Sequence, residues 1–98
     1  MKISVVASDK KIIELLQKQA ISCGVSIKGE VQLNNKIENK LTIDDIMDSD
    51  AVLFSVNNPV EEIEDIERFI DLEYYEVEPN IVISSPDIVL KEIIEDIK

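Results

Sequence analysis

At 98 residues the chain holds enough apolar surface for one core and too little for two, so residues 1–98 read as a single domain. Hydrophobic residues at 45% and charged residues at 32% exclude a disordered tail, and the longest apolar run, Ala51–Phe54 with Val56, is far short of the roughly 20 residues of a membrane span. One cysteine and no histidine exclude a disulfide framework, the usual zinc sites and histidine acid–base catalysis. Met1-Lys2-Ile3-Ser4 runs straight into a strand pattern, so no signal peptide is expected and the cytoplasm is the expected setting. The net charge of −11 is uneven: residues 1–50 carry 8 acidic and 7 basic side chains, residues 51–98 carry 13 and 3. Nucleic acid and anionic membrane surfaces reward Lys and Arg, so neither is an expected partner.

Lys2–Ala7 is short, β-branched and apolar, the pattern of a buried strand. Ser8 and Asp9 then offer cap oxygens for a helix over Lys10–Cys23, with Ile12, Leu16, Ala20 and Cys23 on one stripe and Gly24 at its end. Val25–Leu33 returns as a second strand, completing a β-α-β unit. Asn34, Asn35 and Lys36 make a polar break before Ile37-Glu38-Asn39-Lys40. Thr42-Ile43-Asp44-Asp45 has the form of a capping box opening a short helix over Ile43–Asp48. Ala51–Val56 is a third strand of the kind covered on both faces. Asn58-Pro59 opens a helical stretch with Ile63, Ile66 and Ile70 on one side, Tyr74–Val77 is a fourth strand, and Ser85-Pro86-Asp87 starts a last helix.

This order predicts the α/β class: a small doubly wound four-stranded parallel sheet with helices on both faces. Ligands of such sheets sit beyond the carboxyl ends of the strands, where the strand order reverses. That edge would carry Ser8 and Asp9, Asn34, Asn35, Glu38 and Asn39, and Asn57 with Asn58. Other polar clusters have plainer readings. Thr42, Asp44 and Asp45 are explained by capping, with no metal required. The acids from Glu61 to Glu67 spread along a solvated helix face, and of the adjacent Tyr74 and Tyr75 one should be core and the other half-exposed.

The most specific stretch is Glu30-Val31-Gln32, then Ile37-Glu38-Asn39, Leu41-Thr42, Asp44-Asp45-Ile46 and Asp50-Ala51-Val52-Leu53. It resembles the fructose-family IIB domains of the bacterial phosphoenolpyruvate-dependent sugar phosphotransferase system, with gap lengths that match without insertion. Arg68-Phe69 and Tyr75-Glu76-Val77 resemble the same family further on. The resemblance implies a phosphocarrier in which a cysteine after the first strand takes phosphate from a IIA partner and passes it to a sugar held by the membrane IIC component. In the family that cysteine lies in a Cys-Pro-Thr-Gly-type loop, where backbone N–H groups and a helix N-terminus bind the phosphate.

At that place this chain has Asp9, or Ser8 if the strand slips by one, with no counterpart of the Pro-Thr-Gly or of a later His-Thr. Only 17 residues run from Ser8 to Gly24, so the loop and about one helical turn are missing. Cys23 lies roughly 20 Å along the helix from its start and is expected to be a buried small hydrophobe. The expectation is therefore a IIB-like component without phosphocysteine or cofactor, acting by binding a IIA-type protein, the IIC component or a regulator. The rivals are a phosphocarrier that uses Asp9 or Ser8, a small anion or nucleotide binding module, and a domain retained in a complex for structure alone. A phospho-aspartate receiver domain is disfavoured, because Asn57-Asn58 follows the third strand where an acidic acceptor is wanted.

Overall fold

The run Lys2–Ala7 (β1) has its last five residues fully covered, because one face of the strand meets one helical layer and the other face a second. The computed structural model describes residues 1–33, 36–59 and 62–98, and β1 is the centre of its sheet. Helix Lys10–Cys23 (α1) follows, capped by Asp9 and closed by Gly24 at φ 68°, a left-handed conformation that costs glycine nothing. It returns the chain to Ser26–Leu33 (β2), parallel to β1 with Ile3 opposite Ile27. α1 lies close on this strand: a Cβ on Gly29 would fall 2.5 Å from Ile13 Cδ1, so any larger residue there would force the Ile13 side chain aside.

Lys36–Glu38 (β3) then pairs antiparallel with β2, with Gln32 opposite Ile37. Thr42 caps Ile43–Met47 (α2) in a complete capping box: Asp45 N–H donates to Thr42 Oγ1, and Asp45 Oδ2 accepts from Thr42 N–H, both at 3.1 Å. The Asp45 carboxyl is held down to about 2, mainly by Lys28 Nζ at 2.7 Å and then by Thr42. Ala51–Ser55 (β4) runs parallel to β1 on its other side and is buried throughout. A 3-10 turn at Ile66–Phe69 leads to Tyr74–Glu76 (β5), parallel to β4. Two helices end the chain, Pro79–Ser84 (α3) and Pro86–Ile97 (α4), each with proline in its first turn.

The strand order is β3-β2-β1-β4-β5. On one face Ile3, Val5, Leu53 and Ile27 pack under Ile12 and Leu16 of α1, Val82 of α3 and Leu90 and Ile93 of α4. On the other, Val6, Val52 and Phe54 pack under Ile46 of α2 with Leu41, Ile63 and Phe69. The Phe54 and Phe69 rings meet edge to face at 5.4 Å.

Several expectations need correction. The sheet has five strands and is mixed, because Lys36–Glu38, at the end of the expected polar break and in the stretch after it to which no element was assigned, forms an antiparallel edge strand. The helical stretch expected after Pro59 is, in its described part, 3-10 backbone at Glu62 and at Ile66–Phe69 with turns between, and no α-helix. Asp65 stands at φ 54°, which no α-helix tolerates, and Phe69 turns inward while Ile70 is 79% exposed. Pro79–Ser84 is a helix that the spacing of apolar residues did not announce. Cys23 is exposed, as are all four residues from Ile21 to Gly24, so the last turn of α1 lies outside the core. Neither tyrosine is buried: Tyr74 is 58% exposed and Tyr75 is half-buried against the α4 side of the core.

Candidate functional site

The strand order reverses at β1. The chain leaves β1 toward β2 and later returns on the other side as β4, so the crevice between the carboxyl ends of β1 and β4 is the place for a ligand. Two open hollows meet there, of about 390 and 660 Å³, and both are lined by Ser8, Leu33, Lys36 and Asn57. The smaller adds Gln32, Asn58, Glu62 and Glu64. The larger adds Asp9, Lys10, Glu38, Asn80 and Ile83.

Ser8 is 8% exposed, and its N–H donates to Ser55 O at 3.1 Å, extending the β1–β4 ladder by one rung. Ser55 is fully buried at the same level, and its hydroxyl has no partner among the described residues. Asp9 is exposed, and its Oδ1 accepts the Lys11 N–H at 2.9 Å while its carbonyl accepts the Ile12 N–H at 3.1 Å. The positive end of α1 is thus already occupied by the chain's own carboxylate.

The structure brings Ser8, Asp9, Glu38, Asn57 and Asn58 to this edge. Asn39 is not among them: at φ 55° it turns the chain out of β3 and lines a separate hollow with Lys10 and Lys28. Asn34 and Asn35 lie outside the described residues. Sequence reasoning missed Lys10 and Lys36, the two cations that balance Asp9 and Glu38 in the larger hollow. It also missed Asn80, because the helix that carries it was not anticipated. The rule that parallel strands end on one edge, applied to β5, would have pointed to Asn80.

The wall of the smaller hollow is held by a network that also escaped notice. Glu30 projects from β2 toward the α2 face with no exposed surface. Its two oxygens accept from Arg68 Nη1 at 2.8 Å and Nη2 at 2.9 Å, and further bonds come from Leu41 N–H and Gln32 Nε2. Arg68 spends its remaining donors on the carbonyls of Leu41, Glu64 and Asp65, and its guanidinium sits 4.9 Å from the Phe69 ring centre. Gln32 Oε1 in turn accepts the Glu64 N–H at 2.9 Å. Burial alone would push the Glu30 carboxyl up, but Arg68, Gln32 and the Leu41 N–H together leave it below its usual range. One carboxylate therefore fixes both the 39–41 turn and the 64–68 segment against β2.

Chemically this edge is a mixed polar surface. Its hydroxyl, Ser8, has no histidine anywhere in the chain to act as base. Cys23 sits at the opposite end of α1.

No protein-family model matches the sequence, and no curated protein does. Solved structures do match. The Enzyme IIB subunit of the PTS system from Escherichia coli K12 superposes with a TM-score of 0.84 at 28% identity, covering 98% of this chain and 92% of that one. A domain of the fructose-specific IIABC component of the PTS system from Borrelia burgdorferi gives 0.79 at 26% identity over 93% and 90%. A predicted fructose-specific IIB from Escherichia coli gives 0.84 at 20% identity over 100% and 91%, a likeness of fold. The resemblance carried by Glu30–Leu53 and Arg68–Val77 thus holds for the whole fold: this chain resembles fructose-specific IIB domains. Among its described residues no helix is long and apolar enough to cross a membrane.

Proposed function

We propose that this protein is a non-catalytic IIB-like component of a sugar phosphotransferase system. It binds a IIA-type or regulatory partner, or the membrane IIC component, through the carboxyl edge and forms no phosphocysteine. The observation that carries this reading is Asp9. At the place where the family cysteine is expected, Asp9 or, with the strand slipped by one, Ser8, the Asp9 carboxylate caps α1 and so fills the place a phosphoanion would need. The position of Cys23, an α1 length away from the edge, supports the same reading. What remains at the edge is suited to recognition: two lysines, four acids and four side-chain amides around open hollows, with one wall braced by Arg68 and Gln32. On this reading the protein works in the cytoplasm.

The test is phosphotransfer. The protein is incubated with phosphoenolpyruvate, the general phosphotransferase proteins and a fructose-family IIA, with Asp9→Asn and Cys23→Ser variants alongside. Intact mass is expected to show no phosphate on this chain while the IIA in the same tube is phosphorylated. A phosphate that appears on the wild type and is lost in Asp9→Asn overturns the reading and makes this a phosphocarrier on aspartate. One that survives both substitutions points to Ser8.

A further inference from the structure

A second surface lies on the other side of α3 from the carboxyl edge. Asn80 and Ile83 of that helix face the larger edge hollow, whereas Ile81 faces a groove of about 620 Å³ between β5, α3 and α4. The groove has an apolar floor formed by Val77, Ile81, Val89 and Ile93, and Ile81 stands 48% exposed in it. Every charged residue that lines it is an acid: Glu76, Glu78, Glu92 and Asp96. The few bases of the chain's second half do not offset them, since Arg68 is spent on Glu30 and neither Lys91 nor Lys98 lines the groove.

We propose that this groove docks a basic amphipathic helix of a partner protein. Two features of α4 select a helix. Val89 and Ile93 are four residues apart and form one ridge, and Glu92 and Asp96 form a parallel acidic ridge beside it. A helix with an apolar stripe flanked by a row of Lys or Arg matches both ridges at once. Charge selects against a second copy of this chain. Each copy carries −11, and pairing groove to groove would set acid against acid. The acids would also steer a cationic helix toward the groove before contact. This surface is independent of whether the carboxyl edge carries phosphate.

The experiment uses a synthetic 18-residue Leu–Lys helical peptide as probe and a Leu–Glu peptide of the same pattern as control. Both are titrated into isotope-labelled protein, and amide shifts are followed by NMR. The expected result is saturable shifts confined to β5, α3 and α4 with the Lys peptide and none with the Glu peptide. Affinity should fall by about tenfold or more in a Glu76→Lys/Glu92→Lys variant whose melting curve is unchanged. That variant leaves the Tyr75–Asp96 hydrogen bond intact. Shifts scattered over all acidic faces without saturation, an absence of shifts, or affinity that the variant retains would each overturn the proposal. So would sedimentation showing that the protein covers this groove with a second copy of itself.

Discussion

Replacing Arg68 with methionine tests whether the buried carboxylate network sets the stability of this domain. The side chain of Glu30 has no exposed surface and that of Arg68 is 9% exposed. Methionine keeps much of the volume against Phe69 but leaves a carboxylate out of water with only Leu41 N–H and Gln32 for partners. Removing one member of such a pair costs roughly 3–5 kcal/mol. A domain of this length has about 5–15 kcal/mol in total, so Arg68→Met should lower the melting temperature by roughly 15–30 °C. Urea unfolding followed by circular dichroism, run from pH 7 down to pH 3, checks both size and sign. In the wild type the Glu30 carboxyl lies below its usual range, so its contribution is complete above the unfolded glutamate pKa of about 4.3 and disappears as pH falls below it. In the variant burial dominates and raises that carboxyl, so its penalty is greatest at neutral pH and vanishes on protonation. The gap between the two proteins must therefore shrink with acid, while the low carboxyls of Asp45 and Asp65, present in both, largely cancel. A loss under about 1 kcal/mol at pH 7, the size of a screened surface pair, refutes the reasoning, as does a gap that does not change with pH.

Two further outcomes follow from local geometry. Gly29→Ala should cost roughly 1–3 kcal/mol by overpacking, because the new methyl meets three Ile13 carbons at 2.5–2.6 Å; Ile13→Val should recover part of the loss, and a neutral Gly29→Ala in chemical denaturation would show that α1 does not press on β2 as described. In a Tyr74→Phe background the remaining Tyr75 should titrate at about 12 by ultraviolet absorbance, because its hydroxyl donates to Asp96 Oδ2 at 2.6 Å; Asp96→Asn should bring it down toward the usual value of about 10, and an unchanged titration would dismiss that bond.

The elements read correctly from sequence are those whose periodicity is set by one neighbour at a time. β1 and β4 are apolar runs because both faces are covered, and α1 announces itself by Asp9, its stripe and Gly24. Cys23 misled because its angular position on α1 is right while its height is wrong. β2 begins at Ser26, which bonds to Met1 O, so the last turn of α1 passes the end of the sheet. β3 is three residues on an edge, too short to alternate visibly. The 62–70 segment was misread because its shape is imposed from a distance. Arg68 reaches Glu30 across 38 residues of sequence, and Asp65 takes a left-handed conformation at the start of the turn that carries it there. Glu30 itself shares a strand face with Lys28 and Gln32 that looks like a solvent face, and nothing local marks it as buried.

At the carboxyl edge the topology located the position of the hollows from strand order alone, but their charge balance depends on Lys10 and Lys36, which come from two different elements. That balance distinguishes the two surfaces proposed as interfaces. In the larger hollow of the edge, two cations and two anions nearly cancel, so a partner there is selected by shape and by hydrogen bonds to Asn57 and Asn80, and ionic strength should affect it little. In the groove beside α4 the charge has one sign, so a partner there is selected by its own opposite charge and should leave as salt is raised. The net charge of −11 is thus more than a solubility device on this reading. Its concentration after residue 50 leaves the mixed edge free to read detail and gives the second surface a long-range field, and the two can be told apart in solution by salt alone.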